Sequence, residues 1–275
     1  LAEVYNPNEY RNYIHLGKMD YLYDKVETYD KLKDIIQGRA LPDGLSDIQN
    51  GMADIEHHML HFLDNHDEQR LASPEFAGTP QKGKPLMVVS TTISTSPTMV
   101  YFGQEVGEAG NENAGFGTHS RTSIFDYIGV PIHQRWMNGG KFDGGQLTQE
   151  EKELRDFYKR ILNFSLNSTA LMGEYQEIQT VNRQTTQGYD PGIYAFTRWS
   201  DTQKLVIVTN FSWLSTSNFE LKIPSEIIRK WNLKDGNYTV TDQLYNKSSV
   251  QLQVLNGEGK AQITIAPSES FIYQL

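Results

Sequence analysis

The 275 residues contain no cysteine. A disulfide framework and a thiolate metal site are therefore both excluded, and the redox compartment is left open. Basic charge is also scarce. Lys and Arg number 25 against 34 Asp and Glu, a net charge of -9, and no basic stripe interrupts that balance. Nucleic acid is accordingly not expected as a partner, because phosphate backbones are held by clustered Lys and Arg. Long apolar runs are missing too. Residues 86–103 come closest, but Ser90, Thr91, Thr92, Ser94, Thr95, Ser96 and Thr98 break them up, and a membrane span needs about 18 or more apolar residues. No signal-peptide pattern is present. The chain is nonetheless 38% hydrophobic, enough to bury a sizeable core in one or two domains.

Strand and helix patterns alternate through the first part. Residues 1–5 read as a strand, and Pro7-Asn8 opens a short helix carrying Tyr10, Tyr13 and Ile14. Residues 19–23 read as the next strand, followed by a helix near residues 29–37 that Gly38 terminates. Ile48, Met52 and Ile55 lie at helical spacing within residues 45–57; after them come an apolar run at 59–63, a helical stretch from Leu86 and a strand at 99–101. Such alternation predicts a parallel sheet with right-handed crossovers. A Gly- and Asn-rich loop from residue 107 to about 147 comes next, of a length that usually carries function or lacks order. The last helix of this part, residues 148–167, opens with Thr148 and Glu151 in capping-box spacing and stripes Leu154, Phe157, Tyr158, Ile161 and Leu162 along one face. From about residue 170 the period changes to two. Short runs at 194–198, 205–209, 219–223, 238–241, 250–254, 261–265 and 270–275 are separated by turns such as Asp235-Gly236-Asn237 and Asn256-Gly257-Glu258-Gly259. The expectation is an α/β unit over residues 1–169 and a small antiparallel β-sandwich over residues 170–275.

The densest chemistry lies in Phe62-Leu63-Asp64-Asn65-His66-Asp67-Glu68-Gln69-Arg70, where an apolar run ends in amide, imidazole and carboxylate groups. One reading is a buried strand delivering polar side chains to the carboxyl end of a parallel sheet. The other is that Asn65, His66 and Asp67 only cap the helix after them, since Asn and Asp are favoured caps. His57, His58 and His61 suggest metal spacing, but strand alternation sends them to different faces, so no metal site is expected. Glu105, Glu108 and Glu112 read as a solvated face, and Arg121, Tyr127 and Trp136 as either sugar-stacking or core side chains.

Four segments, in order, carry a resemblance to the α-amylase family of retaining α-glucan hydrolases. Leu1-Ala2-Glu3-Val4-Tyr5-Asn6-Pro7 resembles the family's third region, where the fifth strand of a (β/α)8 barrel ends beside a catalytic Glu. Asn65-His66-Asp67 resembles the fourth region at the end of strand seven, and Tyr101-Phe102-Gly103-Gln104-Glu105 the end of strand eight. Phe125-Asp126-Tyr127 with Val130-Pro131 is similar to the passage from barrel to C-terminal domain. The family's first two regions, which supply an Asp nucleophile, an Arg and another His, have no match. A full barrel takes about 250 residues, so the expected fold is a half TIM barrel, strands five to eight, followed by the β-sandwich.

The resemblance implies that Glu3 is the general acid/base, a role that suits a carboxyl shielded from water. It implies that Asp67 stabilises the transition state by bonding sugar hydroxyls, and that His66, Asn65, Arg70 and Tyr5 bind substrate. The parent activity would be hydrolysis of α-glucosidic bonds in starch or maltooligosaccharides by a double displacement between two carboxyls about 5 to 5.5 Å apart. The chain alone would then be inactive, because its nucleophile is elsewhere. The alternatives are a non-catalytic α-glucan-binding module and a structural remnant. No cofactor is expected in these residues, and calcium is left to the missing half. The exposed barrel edges would be covered by that half or by self-association, and the substrate class favours a secreted or periplasmic setting.

Overall fold

The computed structural model describes residues 1–110, 120–122, 130–245 and 248–275. In the first part, three short strands, β1 (Leu22–Tyr23), β2 (Met59–Phe62) and β3 (Thr98–Met99), pair in chain order. All pairings are parallel, with Leu22 opposite Met59 and His61 opposite Thr98. The strand expected at residues 1–5 reduces to an isolated parallel bridge between Ala2 and Leu22. The backbone turns away at once, because Asn6 caps the short 3-10 turn Pro7–Glu9 with its side chain. Beyond Ala2 on one side and β3 on the other, no further strand is paired among the described residues.

Helices α1 (Tyr10–His15), α2 (Asp30–Ile36), α3 (Gly44–Gly51) and α4 (Lys84–Thr92) fill the connections. Gly38, at φ 72, ends the α2 segment as its position suggested. Helix α3 stops well short of residue 57. Residues 85–92 of α4 are all buried. Two of its buried hydroxyls are satisfied within the helix, Thr91 and Thr92 donating to the carbonyls of Met87 and Val88 at 2.6 and 2.7 Å. The supposed loop of residues 107–147 contains a helix, α5 (Pro131–Met137). Glu108, expected on a solvated face, is 2% exposed. Its carboxylate accepts the N–H groups of Gly110, Ile132 and His133 at 3.0 to 3.3 Å, so it caps α5. Helix α6 (Gln149–Asn167) begins with both bonds of the Thr148 capping box.

The second part corrects the sandwich expectation. Strands β4 (Glu174–Glu177), β5 (Ile193–Trp199), β6 (Lys204–Asn210), β7 (Ser217–Ile223), β8 (Gly236–Asp242), β9 (Ser249–Leu255), β10 (Glu258–Ile265) and β11 (Ser270–Gln274) are hydrogen-bonded into one sheet. Its order is β4-β5-β6-β11-β8-β9-β10-β7 and every pairing is antiparallel. The sheet curls, so that Val206 and Val208 near one end share an apolar cluster with Phe219, Leu221 and Ile263 at the other. Strand β4 and the helices α7 (Gln179–Thr185) and α8 (Ser225–Lys230) had no sequence expectation.

Strand β5 is buried along its whole length because its two faces meet different cores. Ile193 and Ala195 face the interior of the curl, whereas Tyr194 and Phe196 join a cluster with Tyr29, Phe62, Leu86, Val88 and Phe157. The two parts of the chain therefore share apolar packing, worth about 25 cal/mol per Å² of surface removed from water. Arg198 pins the same junction. Nearly fully buried, it donates to the carbonyls of Ile93, Leu171 and Gly173 at 2.6 to 3.1 Å. Its desolvation pulls it down to about 10.

Candidate functional site

The carboxyl ends of the parallel segments converge on one face. Ala2 leads to Glu3 and Tyr5, β1 ends at Tyr23 before Asp24 and Lys25, β2 runs into residues 64–70, and β3 leads to Tyr101 and Phe102. Parallel strands side by side deliver their last residues to the same edge of the sheet.

Glu3 is solvent-exposed and accepts a short hydrogen bond from the Tyr5 hydroxyl. The shielding from water expected for it is therefore absent. Tyr5 is exposed as well. Its phenol is pushed up from the ordinary value, first by the bond to Glu3, then by partial burial and by the charges of Glu3, Asp67 and Glu68. The Tyr23 phenol is also raised, first by burial and then by the charges of Glu3 and Asp67. Ala2 pairs in parallel with Leu22, and Leu22 with Met59, so the segments that carry Glu3 and Asp67 leave the sheet at the same edge.

Asp67 lies between two cationic or ionisable partners. His66 Nε2 approaches Asp67 Oδ2 at 3.3 Å, and Arg121 Nη2 approaches Oδ1 at 3.3 Å. His66 and Asp67 keep about two-fifths of their side chains exposed (42% and 41%), so both are accessible to a ligand. Arg121 is brought in by an isolated antiparallel bridge with Gln69.

Asn65 behaves differently. It is 3% exposed, and its Oδ1 accepts the N–H groups of Asp67 and Glu68 at 2.9 and 2.8 Å. No helix follows these residues, so the helix-cap reading fails; the Asn65 side chain instead closes a turn, which presents His66 and Asp67. Glu68 is engaged by Tyr29 and Lys25.

Arg70 lies beneath the face, at 0% exposure. It is out of reach of a ligand on the surface. Its guanidinium donates to Thr122 Oγ1 at 2.6 Å and the Phe102 carbonyl at 2.7 Å, and pairs with Asp64 Oδ2 at 3.3 Å. The Arg70 N–H also donates to the Ser120 carbonyl at 2.9 Å. Asp64 in turn accepts the Leu71 N–H at 2.5 Å. Burial raises the Asp64 carboxyl to about 6, although the Arg70 charge opposes the rise. This buried network locks the ends of β2 and β3 to residues 120–122, and through them sets Arg121 against Asp67. Sequence reading missed Asp64 as the partner of Arg70; two opposite charges flanking a strand end were the available signal.

His61, one of the three grouped histidines, is buried. Its Nδ1 lies 2.8 Å from the Ser90 carbonyl and its Nε2 3.4 Å from Asp24. His57 and His58 instead meet each other, their ring centroids 4.1 Å apart and their planes tilted by 42°. Among the described residues no group of three or more His, Cys, Asp or Glu is arranged to hold a metal ion. No described helix is long and apolar enough to cross a membrane. Trp136 is half-buried between His133 and Arg155, each about 5.5 Å from its ring. Tyr127, Glu112 and the Phe125-Asp126-Tyr127 segment lie outside the described residues.

No family model and no curated protein matches the chain. Solved structures do. A maltogenic α-amylase, AmyB, from Thermotoga neapolitana superposes with a TM-score of 0.66 at 15% identity, over 99% of this chain and 53% of that one. A variant of AmyP in complex with maltotriose gives 0.68 at 17% identity, over 99% and 55%. The gamma-CGTase of an alkalophilic Bacillus clarkii gives 0.65 at 13% identity, over 99% and 35%. The chain therefore has the fold of α-amylase family structures and spans about half the length, or less, of the ones it resembles.

Proposed function

We propose that these residues are the acid-bearing half of an α-glucan-active site of the α-amylase type. In this reading Ala2 and strands β1 to β3 correspond to barrel strands five to eight, residues 1–169 form the barrel half, and residues 170–275 form the C-terminal β-domain. Glu3 protonates the departing glycosidic oxygen and later activates water, the two duties of the acid/base carboxyl in a retaining double displacement. Asp67 accepts hydrogen bonds from the sugar hydroxyls and His66 donates to the same ring, with Tyr5 beside Glu3. Charge-assisted bonds of this kind are the stronger class. Asn65 and Arg70 position this set from below. The nucleophile would come from polypeptide beyond these residues, as would any calcium, and a secreted or periplasmic setting suits the substrate.

The observation that carries this reading is that Glu3 and the turn at residues 65–67 follow parallel segments that end at the same edge of the sheet. Among the described residues Ala2 and β3 pair with no further strand, which supports a partner half, or a second copy, that completes the sheet. A maltogenic α-amylase and a complex with maltotriose among the similar structures direct the choice of substrate to maltooligosaccharides.

The test is complementation. The 275-residue polypeptide alone should not cleave a chromogenic maltooligosaccharide, and adding a polypeptide that bears the family's first two regions should restore turnover. Glu3→Gln should abolish the restored activity. Turnover by the isolated chain that is lost in Glu3→Gln would overturn the absent nucleophile. Calorimetry with maltose oligomers separates the alternatives: heat without restorable turnover indicates a binding module, and no heat indicates a structural remnant.

A further inference from the structure

A second concave surface shares no residue with the face described above. It is a cleft of about 490 Å³ between the loop after α2, residues 37–42, and the turn after β6, residues 211–214, closed at one end by Asp190 and Pro191. That volume falls within the roughly 300–1,000 Å³ of small-ligand sites. Three large apolar side chains stand out into water along it: Trp213 is 52% exposed, Leu214 73% and Leu41 56%. Exposed leucines singly need no explanation, but an indole among them beside a cleft does.

The turn that carries Trp213 is braced. Ser212 N–H donates to Asn210 Oδ1 at 3.0 Å, and Leu214 and Ser215 N–H groups donate to Ser212 Oγ at 3.3 Å. The Asn210 amide, fully buried, donates to the carbonyls of Ser215 and Ala266, each at 3.0 Å. Lys82 Nζ sits 3.8 Å from the centre of the Trp213 ring and takes up one side of it. The indole is thus held in one orientation at little further entropic cost on binding. Of the charged groups that line the cleft, Arg39 is already paired with Asp34 and bonded to Gln37, so Asp190 is left to face a ligand and the surface disfavours an anion. The Asp190 carboxylate accepts the Gly192 N–H through Oδ1, and among the described residues Oδ2 has no hydrogen-bond donor, which leaves it for a hydroxyl.

We propose that this cleft is a second carbohydrate-binding site, in which the free side of Trp213 stacks on a pyranose ring and Asp190 accepts from its hydroxyls. A neutral sugar offers what these groups match, a flat C–H face and a rim of donors and acceptors. The ligand class, maltooligosaccharide, rests on the function proposed above; the site itself rests on the braced indole and the cleft. It would hold a glucan chain against the protein away from the carboxyl-end face.

Of the four tryptophans Trp213 alone is exposed, Trp136 being half-buried and Trp199 (9%) and Trp231 (3%) buried, so an emission change lost in Trp213→Ala reports the site. Maltoheptaose should change the emission of the 275-residue protein, and calorimetry should resolve two classes of site. Trp213→Ala should abolish the emission change and weaken that class about tenfold or more, whereas Trp213→Phe, which keeps a flat ring, should stay within about threefold. Asp67→Asn should remove only the other class. A wild type that shows the Trp213 class alone, unaltered by Asp67→Asn, would count against the proposed function and leave this site standing. Sugar binding that is equal in wild type and Trp213→Ala, or a Trp213→Ala protein that changes only its oligomeric state, would overturn the proposal.

Discussion

Arg70→Met replaces the guanidinium by a side chain of similar reach without charge, and it leaves the Asp64 carboxyl in a dry site without its counter-charge. Both residues are at 0% exposure and their pair spans 3.3 Å. Burial already holds Asp64 at about 6 against an ordinary 3.8 with Arg70 present. At about 1.4 kcal/mol per pH unit that difference is roughly 3 kcal/mol. Removing one partner of a buried pair typically costs about 3–5 kcal/mol, and Arg70→Met also orphans the Phe102 carbonyl and Thr122 Oγ1. A loss of about that size is expected. The pH dependence has a definite sign. The folded state binds the Asp64 proton more tightly than the unfolded chain, so this contribution is fully present below pH 3.8 and declines as pH rises through about 6. Asp64→Asn keeps an oxygen for the Leu71 N–H but cannot titrate, so its stability should lack that decline. Urea unfolding at intervals from about pH 4 to 7, followed by tryptophan emission and compared at constant m-value, measures both effects. A cost below about 1 kcal/mol for Arg70→Met, or a wild-type slope preserved in Asp64→Asn, would refute the keystone role of the pair.

Two other buried contacts give measurable outcomes. Burial, the largest single influence, lowers the His61 imidazole, yet the contact with and charge of Asp24, the Ser90 carbonyl and the charge of Glu56 together outweigh it and the group is raised above 6.5. Its stabilisation is therefore present below pH 6.5 and lost as pH rises through the folded value, and His61→Gln should melt at a temperature that varies less over pH 6 to 8, with a cost of about 1–3 kcal/mol at the acid end. At Gly173 a Cβ would press on the Trp199 carbonyl, its carbon lying 2.9 Å away, so Gly173→Ala should force β4 from β5 and lower stability by about 1–3 kcal/mol in thermal unfolding; an unchanged melting temperature would show that the strand pair yields freely.

Local patterns in the chain were enough for several elements. The Thr148 and Glu151 spacing marks the start of α6, Gly38 marks the end of α2, and period-two runs mark seven of the strands in the large sheet. The apolar run into Asn65-His66-Asp67 likewise marks a strand end that carries accessible polar groups. These features depend on residues within a few positions of one another, so the sequence contains all the physics they need. Tertiary structure decided the rest. Whether β5 to β11 form two sheets or one depends on pairings such as β10 with β7 and β11 with β6, and those are set by which side chains can bury together around a single curled core. The roles of Asn65, Arg70 and Glu108 changed for the same reason. A buried polar group must find its partners wherever the fold puts them, and here the partners were backbone N–H groups, a carbonyl after β3 and an aspartate beside β2 rather than a ligand. Glu3, by contrast, has its charge settled by sequence and its exposure settled only by a strand that shrinks to one bridge.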